Sequence, residues 1–305
     1  MNQSVLTVGN FDGVHRAHQA LLAAVRSEAR DRGLEPVVLC FEKHPAASLR
    51  PDQAPAPLMD VAQRRDALEE AGIGRVVDLP ADPSILSLEP EAFVRKVVAE
   101  HRPALWVEGP DFRFGARRQG DMALLGRLGA DLGFEVRRIE PIEISLRTGQ
   151  QVRISSTLIR WLVGQGRVAE AAECLGRPFA VAGVVVRGDR KGRDFGFPTI
   201  NLKTEGRQLP ADGVYAGWTE LDGEPKAAAI SVGTKPTCGD HDRVFEAHLL
   251  DVSKDLYGRR MQVRVLRWLR DQIKFQKTED LIEQMHRDVA RVRQVETNAA
   301  MAEPS

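Results

Sequence analysis

The sequence predicts two domains of different fold class: an N-terminal doubly wound, Rossmann-like α/β domain and a C-terminal antiparallel β-barrel domain with a terminal helix. Up to about residue 144, short aliphatic runs alternate with longer helical ones, which is typical of a parallel sheet with crossover helices. After residue 178, short β-rich segments are separated by Gly, Asp and Pro turns, as in a barrel.

The first half alternates strands and helices in a regular order. Strands are predicted at residues 5–9, 36–41, 75–79, 104–109 and 134–144. Helices are predicted at residues 15–32, 63–72, 89–101 and 121–133. Gly33, Gly72 and Gly133 each end a helical run, where glycine favours the left-handed conformation that terminates a helix.

The second half begins after two short predicted helices in residues 155–176, which are broken near Gly164 and Gly166. Its β segments are predicted at residues 179–188, 213–221, 226–233, 243–251 and 261–270, and a final helix at 278–295. We therefore place the domain boundary at Pro178. The predicted domains are 1–177 and 178–297, followed by a tail, 298–305, in the position where disorder is common.

Composition excludes several classes of protein. The 305 residues contain 43 Lys and Arg against 43 Asp and Glu, so no overall charge favours nucleic acid or a membrane surface. Cys40, Cys174 and Cys238 are widely spaced without a CxxC pattern, which argues against a disulfide framework or a zinc site. No membrane-length apolar run or signal-peptide pattern occurs. We expect a cytoplasmic protein, monomeric or a weak homo-oligomer, without nucleic-acid or membrane partners.

The stretch NFDGVHRAH lies at the first strand-to-helix corner. Asn10, Asp12 and Gly13 allow backbone amides to gather at the helix start, where N–H groups and the helix dipole attract phosphate. His15 and His18 lie three apart and therefore on one side of the helix. They are suited to donate hydrogen bonds to a triphosphate and to stabilise a leaving pyrophosphate. The alternative is an ordinary surface or metal-binding histidine pair.

Two further motifs accompany this corner. In ISSTLIR, Ser156 and Thr157 open a helix as capping residues and hydroxyl ligands, and Arg160 lies one turn further on, where it reaches an anion. Capping alone also explains the hydroxyls. GPDFRFGARRQGD, residues 109–121, is an aromatic and basic loop suited to stack on a planar ring and hold phosphates; the alternative is a surface loop pinned by its phenylalanines.

Four motifs, taken in their order along the chain, resemble the nucleotidyltransferase half of the prokaryotic bifunctional riboflavin kinase/FAD synthetase family: GNFDGVHRAH, FEKHP, GPDFRFG and ISSTLIR. The resemblance implies an FMN adenylyltransferase in which His15 and His18 bind ATP phosphates and stabilise the transition state. The other ATP-site residues that it implies are Asn10, Asp12, Gly13, Asp111, Ser156, Thr157 and Arg160. It places His44 and Phe112 near the flavin.

One departure from the family pattern stands between the two histidines. Members carry HxGH, whereas this chain has HRAH, with Ala17 in place of the glycine. The missing side chain of glycine permits close approach of the nucleotide, so the methyl group of Ala17 is expected to crowd it. Because both histidines and the whole ISSTLIR run remain, we expect an active site with altered kinetics.

In the second half, GDRKGRDFGFPTINL combines a flexible cationic loop with a short strand. Gly188, Lys191 and Gly192 belong to a loop that is able to fold over a polyphosphate. Thr199 and Asn201 are two apart, hence on one side of an extended strand, and offer oxygen ligands to Mg²⁺ and phosphate. The alternative is a basic hairpin turn.

GFPTIN is similar to the GxPTAN motif of the family's kinase half, with Ile200 in place of alanine. Four further motifs follow in the order typical of flavokinases: GVYAG, VGTKPTCG, FEAHLLD and LYGRRMQVRVLRWLRDQIKF. The resemblance implies that Glu246 is the general base; otherwise it is an exposed strand carboxylate. Arg270 and Phe275 are candidates for a flavin-facing wall. His248 is expected to be a barrel-wall histidine that is satisfied by the backbone.

The resemblance implies a bifunctional transferase. Its barrel phosphorylates riboflavin with ATP and Mg²⁺ to FMN, and its α/β domain transfers AMP from a second ATP to FMN, giving FAD and pyrophosphate. Two alternatives stay open: a monofunctional riboflavin kinase whose transferase half is degenerate at HRAH, and a non-catalytic flavin-binding regulator.

Overall fold

The computed structural model describes residues 3–188, 192, 195–234 and 243–300. The chain divides into two compact units, Met1–Ser156 and Thr157–Ser305. Each unit is described separately below.

The first unit contains a five-stranded parallel sheet in the order β3-β2-β1-β4-β5. Its strands are β1 (Ser4–Gly9), β2 (Glu35–Phe41), β3 (Arg75–Leu79), β4 (Pro103–Glu108) and β5 (Glu135–Arg138). The chain order reverses between β1 and β4, and ligands of such sheets bind outside the carboxyl ends of the strands at this switch point. The predicted doubly wound fold is confirmed.

Helices connect these strands. They are α1 (Arg16–Arg32), α2 (Ala46–Leu49), α3 (Val61–Glu70), α4 (Pro83–Leu86), α5 (Pro90–His101) and α6 (Met122–Leu132). Gly33 and Gly133 end α1 and α6 with φ of 66° and 80°, as predicted. Asp60 and Gln63 form a capping box at the start of α3, so this helix begins two residues earlier than its apolar pattern indicated. The one-turn helices α2 and α4 are too short to produce a periodic pattern.

The strand predicted at residues 134–144 was wrong in its length. It is divided into β5 and a separate short strand, β6 (Glu143–Ser145), which pairs antiparallel with β7 (Gln151–Arg153). Pro141 lies between the two parts, and because proline has no N–H group it interrupts a hydrogen-bonded ladder.

Side chains of β1 alternate between the two faces of the sheet. Leu6 and Val8 pack with Phe93 of α5 on one face. Val5 packs with Val25 of α1 on the other. Because both faces are covered, the central strands β1, β2 and β4 are predominantly apolar, which is why they were recognisable in the sequence.

The second unit contains the helices α7 (Ser156–Gly164) and α8 (Val168–Leu175) and a closed antiparallel barrel. The first residue of α7, Ser156, is the last residue of the first unit. The strand order is β10-β11-β12-β9-β8-β13. The strands are β8 (Phe179–Val186), β9 (Ile200–Lys203), β10 (Gly213–Leu221), β11 (Glu224–Thr234), β12 (Arg243–Leu249) and β13 (Arg260–Arg270). The predicted barrel is confirmed.

The last helix, α9, spans Thr278–Ala300 and is five residues longer than predicted. No Gly or Pro occurs between residues 278 and 300, so nothing in the sequence ends the helix at Val295. The first three residues of the predicted tail are therefore helical. None of the helices in the described part of the chain has the length and hydrophobicity needed to cross a membrane.

Candidate active sites

The turn between β1 and α1 lies at the switch point of the first unit and has an unusual backbone. Phe11 and Val14 have φ of 48° and 36°, and Gly13 between them has φ of 87°. A positive φ is rare for a β-branched residue such as Val14, and costs of order 1–3 kcal/mol. Such strain persists where the surroundings hold it in place, and it is concentrated at functional sites.

His15 and His18 are brought together directly after this turn. His15 caps α1, since its Nδ1 atom accepts a hydrogen bond from the backbone N–H of His18 at 3.3 Å. The two imidazole rings are stacked, with centroids 3.6 Å apart and planes 14° apart. The ring of Phe11 lies 5.1 Å from that of His18. The structure therefore places the two predicted histidines in direct contact as one stacked pair.

The surroundings of the pair control its charge. Burial, and secondly the neighbouring His15, hold the pKa of His18 well below its ordinary value of 6.5, so this imidazole is neutral near pH 7. Within the described residues, the buried Nδ1 atom of His18 and the buried Oδ1 atom of Asn10 have no hydrogen-bond partner. Such orphaned buried polar atoms are rare in proteins, which makes this turn a candidate for binding a polar ligand.

Asp12 and Ser156 hold the same turn to the rest of the first unit. The carboxylate of Asp12 accepts hydrogen bonds from the backbone N–H of Leu58 at 3.0 and 3.1 Å. Its carbonyl accepts one from the Ser156 hydroxyl at 2.8 Å. The structure thus brings the start of ISSTLIR to the histidine corner. Thr157 and Arg160 follow in α7, in the second unit, and their roles stay predictions.

The 109–121 loop shows the phenylalanine packing that its alternative interpretation expected, and its ligand contacts stay predictions. Phe112 packs on Phe114 and Trp106, with ring centroids at 5.3 and 6.3 Å, so aromatic side chains do pin it. Asp111 is 71% exposed and forms an ion pair with Arg153 of β7. Sequence reasoning missed Arg153; its place directly before ISSTLIR is the signal that was available.

His44 lies on the loop after β2, where its Nδ1 atom accepts a hydrogen bond from the backbone N–H of Ala46 at 3.1 Å. This contact orients the ring at the start of α2. The proximity of His44 to the flavin stays a prediction.

A second missed residue is Glu108, at the carboxyl end of β4. Its Oε1 atom accepts hydrogen bonds from the backbone N–H of Val8 at 2.7 Å and from Nε1–H of Trp106 at 2.8 Å. Burial raises the pKa of Glu108 to about 8, because desolvation disfavours the carboxylate. The sequence signal was a lone acidic residue ending an otherwise apolar strand, ALWVE.

In the second unit, Asn201 and Glu246 lie directly opposite each other on paired strands β9 and β12. Opposite residues of an antiparallel pair share one face, with Cβ atoms about 5 Å apart. Asn201 also lies opposite Val186 of β8. A side chain at Gly188 would collide with the amide of Asn201, which explains why glycine begins this loop. Two predicted kinase residues are therefore neighbours.

Thr199 lines a cavity of about 440 Å³ together with Pro198, Ile200 and Leu249, whereas Asn201 and Glu246 are not among its lining residues. The segment 252–257 forms the opposite wall, including Lys254 and Tyr257. The guanidinium of Arg187 lies 5.7 Å from the ring centroid of Tyr257. A side chain at Gly192 would collide with the backbone before Thr199, so both glycines permit close packing here. Sequence reasoning did not include segment 252–257 in the site.

Two other predicted residues have clear partners. His248 contacts the carbonyl of Pro198 through Nδ1 at 2.8 Å, so its expected backbone contact is confirmed. Arg270 donates hydrogen bonds to the buried carboxylate of Asp288 on α9 at 2.7 to 3.1 Å, and its guanidinium lies 5.9 Å from the ring of Phe275. These contacts anchor α9 to the barrel; the predicted flavin contacts remain predictions.

Some predicted features cannot be placed. Lys191, Cys238 and most of the VGTKPTCG motif lie outside the described residues. In the part of the chain that is described, no group of three or more His, Cys, Asp or Glu side chains is arranged to hold a metal ion.

The two halves of the chain match two different protein families. The family model described as FAD synthetase matches residues 1–158, and the one described as riboflavin kinase matches residues 175–296. A bifunctional riboflavin kinase/FMN adenylyltransferase of Escherichia coli (strain K12) is 38% identical over 286 residues, which cover 93% of this chain and 90% of that protein. The protein of the same name from Pseudomonas fluorescens is 36% identical over 303 residues, covering 99% and 94%.

A solved structure has a similar fold over nearly the whole chain. It is described as a macrolide-efflux protein from Streptococcus pneumoniae, and it is 30% identical in sequence with a TM-score of 0.84. The match covers 95% of this chain and 94% of that one.

Proposed function

The chain belongs to the family of bifunctional riboflavin kinases/FMN adenylyltransferases, and we propose that its two activities are divided between the two halves. The enzyme transfers the γ-phosphoryl group of ATP to riboflavin, and then the adenylyl group of a second ATP to the FMN that is formed. We assign the second step to residues 1–177 and the first to residues 178–297, with 298–305 as a tail.

The stacked pair of His15, which is buried, and His18, which is partly buried, carries the assignment of adenylyl transfer. In this step an oxygen of the FMN phosphate bonds to the α-phosphorus of ATP, and the bond from that phosphorus to the bridging oxygen breaks. Pyrophosphate leaves with the bonding electrons. Positioned N–H donors that meet this developing charge lower the barrier.

The neutral state of His18 fits this role, because a neutral imidazole still has one N–H group to donate. The start of α1 adds backbone N–H groups and the positive end of the helix dipole. The further ATP ligands that we propose are Asn10, Asp12, Gly13, Asp111, Ser156, Thr157 and Arg160, with His44 and Phe112 near the flavin. No covalent intermediate on the protein is needed.

For the kinase step we propose Glu246 as the general base. Its carboxylate takes the proton of the ribityl hydroxyl as that oxygen attacks the γ-phosphorus, and ADP leaves. The position of Glu246 opposite Asn201 supports this role. We place the ATP of this step in the cavity beside Thr199, covered by the loop with Gly188, Lys191 and Gly192, and the flavin near Arg270 and Phe275.

The donor set fits Mg²⁺. Magnesium is commonly held by one or two protein oxygens together with substrate phosphates and water, and the Thr199 hydroxyl and the Asn201 amide oxygen supply two. When bound, the ion neutralises phosphate charge as the phosphoryl group moves. We therefore propose Thr199 and Asn201 as its protein ligands.

The partners that we propose are riboflavin, FMN, FAD and ATP. Cys40 and Cys174 are buried and form no disulfide, which supports a cytoplasmic location. We propose a monomer or weak homo-oligomer that needs neither nucleic acid nor a membrane.

One time course tests both activities. The full chain is incubated with riboflavin, ATP and Mg²⁺, and the flavins are separated by chromatography; a parallel sample starts from FMN. We expect FMN to appear first and FAD afterwards, and FAD directly in the parallel sample. FMN without FAD in both samples would instead indicate a monofunctional kinase, and bound riboflavin without any product would indicate a flavin-binding regulator.

A further inference from the structure

Arg64 is a buried cation beside the histidine corner that the proposed reaction does not use. It lies in the first turn of α3 and is 8% exposed. Its Nη1–H group donates to the carbonyl of Asn10 at 3.2 Å, and its Nη2–H group donates to the carbonyl of Glu42 at 3.1 Å. A buried guanidinium is costly unless its N–H groups are satisfied, so these contacts hold the side chain firmly in place.

The two carbonyls belong to the two halves of the transferase site. Asn10 follows β1 and leads into the histidine corner, whereas Glu42 follows β2 and leads into the segment that holds His44. These strands are neighbours in the sheet. One side chain therefore joins the proposed ATP side to the proposed flavin side at the ends of adjacent strands.

A second contact joins the turn to the same part of the chain, and its hydrogen bonds run in the same direction. The Asp12 carboxylate accepts from the backbone N–H of Leu58, and Leu58 lies in the stretch that leads into α3. Residues 58–64 thus donate to the turn through Arg64 and through Leu58. The turn is therefore held at its first residue, Asn10, and at its middle residue, Asp12.

Strained backbone lies next to these two hydrogen-bonded residues: Phe11, between Asn10 and Asp12, and Val14, two residues after Asp12, both have positive φ. Strained residues keep such conformations only where the surroundings over-determine them. The conformation of this turn sets the position at which α1 begins and hence where the histidine pair points.

We propose that Arg64 is a positioning residue for adenylyl transfer: it holds the strained Asn10–Val14 turn and the end of β2 in the geometry that presents His15 and His18 to the nucleotide phosphates. It does not touch the substrates. The inference rests on the transferase site proposed above.

The chain supplies a matched control on the same helix. Arg65 is the next residue, with a 45% exposed side chain that pairs with Asp78 at 2.6 Å. Arg64→Gln, Arg64→Lys and Arg65→Gln are made in the full-length protein. For each, kcat and KM for ATP and FMN in FAD formation are measured well below the unfolding temperature, and riboflavin phosphorylation is measured in the same preparation.

We expect Arg64→Gln to lower kcat for FAD formation by about 10- to 100-fold and to raise KM for both substrates. This is the scale of loss expected when catalytic groups are displaced by about 1 Å. Arg64→Lys keeps a cation and should recover part of the rate. Arg65→Gln should match the wild type, and riboflavin phosphorylation should stay unchanged in all three variants.

Wild-type kcat and KM in folded Arg64→Gln would overturn the inference while leaving the proposed function intact. A loss that merely follows the unfolded fraction, with unchanged kcat per folded molecule, would also overturn it, because that is a purely structural effect. If Arg64→Gln does not fold, Arg64→Lys decides on the same criteria. If the wild type makes FMN but no FAD, the proposed transferase site itself fails.

Discussion

The imidazoles of His15 and His18 are stacked with their centroids 3.6 Å apart, and the first ring also caps the helix that carries the second. One residue therefore has two separable roles. Its Nδ1 atom stabilises the start of α1, while its ring forms half of the pair that we assign to the phosphates.

These roles can be separated by substitution. His15→Asn keeps a good N-cap but removes the ring, so we expect FAD formation to fall by about 100-fold or more, the usual loss for one transition-state donor. Its stability to urea should stay near that of the wild type. His15→Ala should lose the same activity and about 1 kcal/mol of stability in addition. Full FAD formation by His15→Asn would remove the pair from the mechanism.

The low pKa of His18 predicts a pH effect on stability. In the unfolded chain the imidazole takes up a proton as the pH falls through about 6.5, whereas in the folded state it stays neutral because of burial and the neighbouring His15. The unfolded state then binds more protons, so the free energy of unfolding falls as the pH drops below about 6.5. His18→Gln should show a shallower loss in urea titrations between pH 7 and pH 5. Equal slopes for both proteins would contradict the shifted pKa.

Glu108 should produce the opposite trend. Its folded pKa of about 8 lies above the ordinary value of 4.5, so the folded state binds the extra proton, and its contribution lowers stability as the pH rises from about 4.5 to 8. Each unit of this shift is worth about 1.4 kcal/mol. Glu108→Gln keeps an oxygen acceptor for Val8 and Trp106 without the ionisation, and should be more stable than the wild type at pH 9.

The matched comparison at pH 5, where both side chains are neutral, serves as the control for Glu108→Gln. There we expect a much smaller difference between the two proteins than at pH 9. A difference that is independent of pH would show that the Glu108 carboxyl does not change its ionisation in this range.

Most of the fold was predictable because its signals are local. Short aliphatic runs mark the strands, so β3 was recognised with its observed bounds from RVVDL, and Gly33 marked the end of α1. Strand β6 was not separated from β5 and strand β7 was not predicted, since three-residue strands carry too little pattern. The extension of α9 to Ala300 was missed for a related reason: the five added residues, ETNAA, are too few to show an apolar period.

The site was less predictable, because its key features arise from contacts distant in sequence. The pattern NFDGVHRAH suggested phosphate binding, but the stacking of the rings and the positive φ of Val14 depend on the whole corner. Arg64 and Glu108 were missed since a charged residue in a helix or at a strand end usually faces water. Only tertiary structure shows that both are buried beside the corner.

In the barrel, Glu246→Gln separates the two activities. The amide cannot accept the ribityl proton, so we expect riboflavin phosphorylation to fall by about 100-fold or more. FAD formation from supplied FMN should remain unchanged. Glu220→Gln, on the exposed face of β10, is the control for a neutralised strand carboxylate and should keep both activities. Unimpaired FMN formation by Glu246→Gln would exclude this residue as the base.

Ala17 is the position at which this chain departs from HxGH, and it stands in the first turn of α1 between the stacked histidines. If its methyl group crowds the nucleotide, Ala17→Gly should lower KM for ATP and raise the rate of FAD formation several-fold, with riboflavin phosphorylation unchanged. Glycine also weakens a helix, by about 1 kcal/mol in its interior. Ala23→Gly, at an exposed position of the same helix, measures that cost alone. Equal FAD formation by the wild type and Ala17→Gly would show that the alanine methyl group does not crowd the nucleotide. Slower FAD formation in both glycine variants would show that a residue change here acts through the stability of α1.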